Sequence, residues 1–165
     1  MKQAIIFDID GTLADASHRL RFIQGKPRNW PAFFDKMADD EPIEPLVTLC
    51  GHLVMLHASA TNLGVLPPFE VVFCTGRPDS YRNETEAWIR KHLPYEFLDK
   101  ERFPLRLLMR KTGDFRPDTE VKKEMIAYLR AGGLEPFIVF EDRKRVVDMW
   151  RQNGIMCLQV ADGDY

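Results

Sequence analysis

The chain has 165 residues, of which 45% are apolar and 29% charged, and a formal net charge of −2. This length and composition suit one globular domain and hardly two, and the small net charge excludes a global basic field for nucleic acid. The three cysteines form no C-x-x-C pair, and neither a secretion-signal pattern nor an apolar run of membrane-spanning length is visible. These features predict a cytoplasmic protein with reduced thiols and no membrane contact.

Short apolar runs alternate along the chain with stretches of helical spacing. The runs that we interpret as strands are Ala4–Phe7, Val71–Thr75, Leu105–Met109, Phe137–Phe140 and Met156–Val160. The helical stretches are marked by four sets of residues: Leu46, Leu49, Leu53 and Leu56; Trp88, Ile89 and Leu93; Met125, Ile126 and Leu129; and Val146, Val147 and Trp150, closed by Asn153-Gly154. The alternation predicts an α/β fold, a Rossmann-like three-layer sandwich around a central parallel sheet.

One stretch, from His18 to Pro45, breaks this alternation. It contains four prolines and the aromatic sequence NWPAFFDKM. We predict a short cap-like insertion over residues 18–45, with one short helix, after the first strand of a single domain that spans residues 1–165. Its aromatic and cationic residues could stack on a base or pack a small lid against the body, and packing is the commoner use of such side chains; they are Arg28, Trp30, Phe33 and Phe34.

The first strand ends in two carboxylates one residue apart, Asp8 and Asp10. Side chains alternate along a strand, so the two point the same way and lie about 6.6 Å apart. Like charges at the edge of a core disfavour each other's ionisation, and a nearby cation offsets this repulsion. If this segment were only a strand end followed by a turn, one aspartate would be expected there, but a second one would have no structural reason.

Ligands of open parallel sheets bind at the carboxyl ends of the strands. Two other strands end there in Thr75-Gly76-Arg77 and in Glu141-Asp142. Carboxylates without a nearby histidine favour Mg²⁺ over Zn²⁺. An aspartate can act as a nucleophile on phosphorus, and a second one can protonate the leaving alcohol and later deprotonate water.

A cation for a phosphoryl group is offered by the sequence RPDTEVKKEMIAYL. Asp118 or Thr119 resembles a helix N-cap, which places Lys122 near the first turn and on the face that packs inward. Lys123 is predicted to face solvent. On spacing alone, Lys122 is equally consistent with a functional lysine and with one that extends along the surface.

The sequences DIDGT, CTG and ED, together with the helix-borne Lys122, resemble in this order the four motifs of the haloacid dehalogenase-type phosphotransferase superfamily. The resemblance implies Asp8 as nucleophile, Asp10 as acid/base, and Thr75 and Lys122 as phosphate ligands. It also implies a Mg²⁺ site formed by Asp8, Asp10 (through its carbonyl) and Asp142, which brings the catalytic set to Asp8, Asp10, Thr75 and Lys122.

The C-terminal third resembles more narrowly the 3′-phosphatase half of bacteriophage polynucleotide kinase/phosphatase. This implies substrate contacts from Arg77, Arg116 and Asp118, beside Thr75, Gly76 and Lys122. The chain contains no G-x-x-x-x-G-K-[ST] loop and therefore no separate kinase domain, and its aromatic insertion is longer.

We therefore predict a Mg²⁺-dependent phosphomonoesterase that forms an aspartyl-phosphate and removes a 3′-phosphate from a polynucleotide end. The alternatives are a small-molecule nucleotidase and a non-catalytic nucleotide- or RNA-binding module. A dehalogenase is disfavoured by Asp10, which a halide leaving group does not need, and a receiver domain by the position of Asp8 after the first strand. A homo-oligomer is possible.

A basic stretch could follow nucleic acid or form a solvated edge; it comprises Arg102, Arg106, Arg110, Lys111 and Arg116.

Overall fold

The computed structural model describes residues 1–65, 69–98, 101 and 103–163, a range that leaves out Arg102 of the basic stretch. In chain order, the elements are β1 (Lys2–Phe7), β2 (Ala14–Asp15), α1 (Arg21–Gln24), α2 (Trp30–Asp35), β3 (Glu41–Pro42), α3 (Glu44–Asn62), β4 (Phe69–Pro78), α4 (Arg82–His92), β5 (Leu107–Arg110), α5 (Asp118–Ala131), β6 (Leu134–Glu141), α6 (Lys144–Gln152) and β7 (Met156–Gln159).

Within these ranges, five strands form one parallel sheet in the order β5-β4-β1-β6-β7. Helices α3 and α4 pack on one face around Phe7 and Phe73, and α5 and α6 pack on the other around Ile6 and Val72. Both faces of a parallel sheet must be covered because its crossover helices lie there. The predicted three-layer α/β sandwich with a central parallel sheet is confirmed.

The buried face of α3 differs from the predicted one. Leu49 and Leu56 are exposed, whereas Val47, Cys50 and Val54 are buried against the sheet. The leucine spacing identified the helix correctly but not its face, because both faces of this helix carry apolar side chains. The strand positions were also approximate, since β4 continues to Pro78 and β6 begins at Leu134.

The insertion contains more structure than the single short helix that we predicted. It holds two short helices, α1 and α2, and its strand β3 pairs antiparallel with β2. Its buried residues Ile23 and Phe33 form a small core with Ala16, which precedes the predicted range, and α3 already begins at Glu44, inside that range. This core is too small to be a domain of its own and depends on contacts with the main sheet.

Two expectations from composition can be compared with the described residues. Cys50, Cys74 and Cys157 are free thiols and all three are buried. No helix in the described ranges combines the length and the apolar composition needed to cross a membrane.

Candidate active site

Parallel pairing of β1 with β6 brings the carboxylates of Asp8, Glu141 and Asp142 together, and α5 adds the ammonium group of Lys122. Phe7 is in register with Phe140, so Asp8 and Glu141 follow at the same edge of the sheet. Lys122 Nζ, from α5, lies 2.7 Å from Asp8 Oδ1 and 2.6 Å from Glu141 Oε2. Lys122 is 3% exposed, which agrees with the predicted inward face of this helix.

The carboxylates of Asp8, Glu141 and Asp142 form a group that could hold a metal ion. One oxygen from each lies within 4.8 Å of the others, and all three residues are buried. Three hard oxygen ligands without nitrogen or sulfur fit Mg²⁺. The residues present therefore fit the metal that the resemblance implies, with Glu141 as an added side chain and the Asp10 carboxylate outside the group.

Burial and mutual repulsion shift the ionisation of this cluster. Burial, followed by the charge of Glu141, raises the pKa of Asp8 well above its usual range and that of Asp142 to about 7. Burial alone would lower the pKa of Lys122, but Asp8 and Glu141 hold it well above its usual value. Three carboxylates around one ammonium group leave an excess of negative charge, which suits the site to bind a cation.

Asp10 belongs to a second charge cluster, beside the first. Its carboxylate accepts hydrogen bonds from Arg77 Nη2 (2.6 Å) and Arg19 Nη2 (2.5 Å), and both guanidinium groups also bond to Asp40. Burial alone would raise the pKa of Asp10, yet Arg77 and Arg19 lower it below its usual range. Arg19 and Asp40 lie in the insertion and Arg77 lies in β4, so the insertion and the main sheet together hold the Asp10 carboxylate.

Thr75 and Arg77 are less accessible to a ligand than we expected. Thr75 and Arg77 are fully buried and do not line the cleft described below, whereas Gly76 does. The Thr75 hydroxyl accepts a hydrogen bond from the Arg77 N–H (3.2 Å). In this structure Arg77 thus contacts the proposed acid/base residue instead of facing a substrate directly.

The start of α5 corrects our N-cap prediction. Pro117 is the N-cap, and Asp118 is the first helical residue, with no side-chain cap. The Asp118 carboxylate instead pairs with the guanidinium groups of Arg110 and Arg143. A Cβ at position 76 would lie 2.9 Å from Asp118 Oδ1, so a glycine there allows β4 and α5 to approach each other.

A cleft of about 560 Å³ contains the first cluster and the Asp10 carboxylate. Its rim includes Arg116, whose guanidinium pairs with Asp114 (2.7 Å) and Glu124 (2.6 Å). The phosphate contact expected of Arg116 would have to displace one of these carboxylates, which is feasible because exposed ion pairs contribute little. Arg28, Lys111 and Arg145 also line the cleft, and no ion pair joins them to another residue of the described ranges.

Sequence reasoning missed two charged side chains of the site, Arg19 and Asp40. It placed Glu141 at a strand end and Arg110 in the basic stretch but gave neither of them a role in the site. Arg19 and Asp40 lie in an insertion without periodicity; Arg19 bonds directly to Asp10, and Asp40 is joined to Asp10 through the arginines. No spacing rule could have indicated them.

Comparisons with known proteins show which family and fold the chain resembles. The family model "Polynucleotide kinase PNKP phosphatase domain" matches residues 2–165. Chains in two solved structures of the Pnkp1/Rnl/Hen1 RNA repair complex are 29% and 28% identical to this one, with TM-scores of 0.69 and 0.71; each match covers 100% of this chain and 44% or 48% of the other.

More distant matches also exist. A putative bifunctional polynucleotide kinase/RNA ligase of Autographa californica nuclear polyhedrosis virus is 25% identical over 163 residues, which are 99% of this chain and 20% of the viral protein. A haloacid dehalogenase-like hydrolase, SP0104 of Streptococcus pneumoniae, is 13% identical with a TM-score of 0.55 over 96% of this chain and 84% of that one, and shares the fold. The chain thus spans a fifth of the viral relative and less than half of each repair-complex chain.

Proposed function

Because the chain belongs to the family of polynucleotide kinase PNKP phosphatase domains, a group with the haloacid dehalogenase-like fold, we propose that it is a Mg²⁺-dependent phosphatase that removes 3′-phosphates from nucleic-acid ends through an aspartyl-phosphate on Asp8. The observation that carries this proposal is the Asp8 carboxylate, bonded to Lys122 within an acidic cluster at a cleft.

Asp8 is the nucleophile in this proposal. Burial and the charge of Glu141 raise its pKa, and Lys122, at 2.7 Å from one of its oxygens, opposes that shift and fixes the side chain. The same ammonium group can neutralise charge on the transferring phosphoryl group, whose oxygens carry most of the charge in the transition state. When bound, Mg²⁺ supplies further positive charge that keeps the three carboxylates ionised and offsets the charge of the phosphate.

Asp10 serves the two proton transfers. With its pKa lowered by Arg77 and Arg19, it is a carboxylate in the free protein, the form that takes a proton from the water attacking the aspartyl-phosphate. Protonation of the leaving alcohol requires the opposite form. An arriving phosphate brings negative charge beside Asp10 and raises its pKa, so substrate binding itself favours uptake of the proton.

The rim of the cleft supports a nucleic-acid substrate. Arg28, Lys111 and Arg145 are exposed cations on this rim, and such residues suit backbone phosphates. The insertion beside it is short and contributes exposed aromatic surface at Trp30. A polymer end therefore fits this entrance better than a small metabolite that must be enclosed.

The test is a phosphate-release assay with Mg²⁺ on oligonucleotides with a 3′-phosphate or a 5′-phosphate, on 3′- and 5′-mononucleotides and on a sugar phosphate. We expect the highest kcat/KM on the 3′-phosphate oligonucleotide and no turnover by Asp8→Asn. A preference for 5′-mononucleotides would favour a small-molecule nucleotidase instead.

A further inference from the structure

Two aromatic side chains at the cleft are left in contact with solvent. Phe115 is 93% exposed and Trp30 is 39% exposed. Among the described residues, only these two large apolar side chains are both exposed and part of the lining that includes Asp8. An apolar ring in water gains free energy when a ligand covers it, and exposed apolar surface at a groove commonly marks a binding site.

The loop between β5 and α5 holds Phe115 in this position. Arg110 Nη1 donates to the backbone carbonyls on both sides of Phe115, those of Asp114 (3.0 Å) and Arg116 (2.7 Å). The Arg116 N–H also donates to Asp114 Oδ1 (3.0 Å). A backbone fixed around a solvent-exposed ring is preorganised for a ligand, since little entropy remains to be lost on binding.

Trp30 belongs to a row of rings that lines the cleft. It begins α2 and stacks on Phe34 with the ring centroids 5.9 Å apart, and Phe34 contacts Tyr81 at 5.5 Å. The guanidinium of Arg28 lies over the Trp30 ring, 5.9 Å from its centroid, and Phe33, which also lines the cleft, is buried in the insertion core beneath Arg19. Of these rings, Trp30 is the one that the insertion leaves exposed to solvent at the cleft.

Resting on the proposed function, we propose that Trp30 and Phe115 stack on nucleobases of a single-stranded 3′ end whose terminal phosphate lies at Asp8. Stacking on aromatic side chains accepts every base, because each base has a π-face, so this site selects single strands without reading their sequence. Stacking on both rings favours a single strand over a duplex end, because the bases of a duplex are already stacked on one another. Lys111 and Arg145, on the same rim, suit the flanking phosphates.

The first experiment compares two 3′-phosphorylated oligonucleotides, one with bases throughout and one with its last two nucleotides abasic. We expect the wild type to prefer the base-bearing end by about ten-fold or more in kcat/KM, the effect of losing a stacked base. Phe115→Ala and Trp30→Ala should each bring this ratio towards one, and Phe115→Trp should keep it. Phe137→Ala, which removes a half-exposed aromatic ring outside the cleft, is the matched control.

A ratio near one in the wild type, or a ratio that neither alanine variant changes, would overturn the stacking proposal. If the wild type released no phosphate from either oligonucleotide, the proposed function would be wrong instead.

A binding measurement separates the two outcomes. Trp30 is exposed, whereas Trp88 and Trp150 are buried, so a base stacking on Trp30 should quench tryptophan fluorescence.

The titration uses Asp8→Asn protein and the same two oligonucleotides. We expect quenching by the base-bearing strand, none by the abasic strand, and none after Trp30→Phe in the Asp8→Asn background. This result would support stacking even if the activity assay detected no phosphate release. Equal quenching by both strands, or no quenching by either, would overturn it.

Discussion

Lys122 and Lys123 are adjacent in the chain but lie in opposite surroundings. Lys122 is buried between Asp8 and Glu141, whereas Lys123 is half exposed and pairs with Glu120. We expect Lys122→Ala to lower kcat by about 100-fold or more, the effect of removing one donor that stabilises transition-state charge. Lys123→Ala should leave kcat near that of the wild type. Steady-state kinetics measures both.

Thermal unfolding of both variants shows whether a loss of activity is a loss of fold. If Lys123→Ala were the inactive variant, the register of α5 would be wrong by one residue. If both variants stayed active, the cation that neutralises the phosphoryl group would have to be another side chain.

Gly163 lies against the proposed metal ligand Asp142. Its N–H donates to the Asp142 carbonyl at 3.2 Å, and a Cβ at this position would overlap the Asp142 carboxylate. We therefore expect Gly163→Ala to displace that carboxylate and weaken Mg²⁺ binding about ten-fold, the lower end of the effect of disturbing a group that orients a metal ligand, measured by isothermal titration calorimetry. Gly25→Ala is the control, because a Cβ there meets no atom within 4 Å. Unchanged Mg²⁺ affinity in Gly163→Ala would remove Asp142 from the metal site.

Single residues show how far the sequence predicts the site. The meeting of Asp8 with Asp142 follows from strand ends at one sheet edge, and the burial of Lys122 follows from helical spacing. The separation of Asp8 from Asp10 does not follow from either rule. It depends on Arg77 and Arg19, which draw the Asp10 carboxylate into a cluster of their own, and such long-range pairing has no local signature.

At the scale of elements, amphipathic spacing located the four long helices but not always their buried faces. For α5 the spacing gave the face correctly, because its opposite face is mostly charged. For α3 it failed, because apolar residues surround the helix and the sheet decides which side is buried. The insertion was the least predictable part, since its short helices are stabilised by packing and not by intrinsic propensity.

The insertion is joined to the main sheet through Asp40, which is 3% exposed and accepts hydrogen bonds from Arg19 and Arg77. We expect Asp40→Asn to lower the free energy of unfolding by about 3 kcal/mol, because it leaves two buried guanidinium groups short of one negative charge. Urea denaturation measures this. The same change should lower kcat, since both arginines also hold Asp10.

Asp35→Asn is the matched control within the insertion. Asp35 is exposed and accepts one hydrogen bond from the Tyr81 hydroxyl, so its substitution should change stability by less than about 1 kcal/mol. Equal unfolding free energies for the two variants would mean that the buried cluster does not anchor the insertion.

For the whole molecule, the net charge is only −2, but negative and positive side chains occupy different parts of the cleft. Acidic groups gather around Asp8, and Lys111 and Arg145 lie on the rim. We expect kcat/KM on a 3′-phosphate oligonucleotide to fall with added salt more steeply than on a 3′-mononucleotide. The double variant Lys111→Ala/Arg145→Ala should reduce the log–log slope by about 0.7 for each backbone phosphate that the protein no longer neutralises.

Arg130→Ala removes a cation that does not line the cleft and should leave this slope unchanged. The same salt dependence for oligonucleotide and mononucleotide would mean that the rim does not bind a polymer backbone. The expected result would mean that the local charge of the cleft, and not the net charge of the chain, governs binding of nucleic acid.

The most direct test of the central claim is to trap the covalent intermediate. Wild-type protein with Mg²⁺ is mixed with an oligonucleotide carrying a radiolabelled 3′-phosphate, quenched in acid within milliseconds, digested and analysed by mass spectrometry. We predict label on the peptide that contains Asp8, released by hydroxylamine as expected of an acyl phosphate, and none in Asp8→Asn. Turnover of the 3′-phosphate without labelled protein at any quench time, or label on a different residue, would contradict nucleophilic catalysis by Asp8.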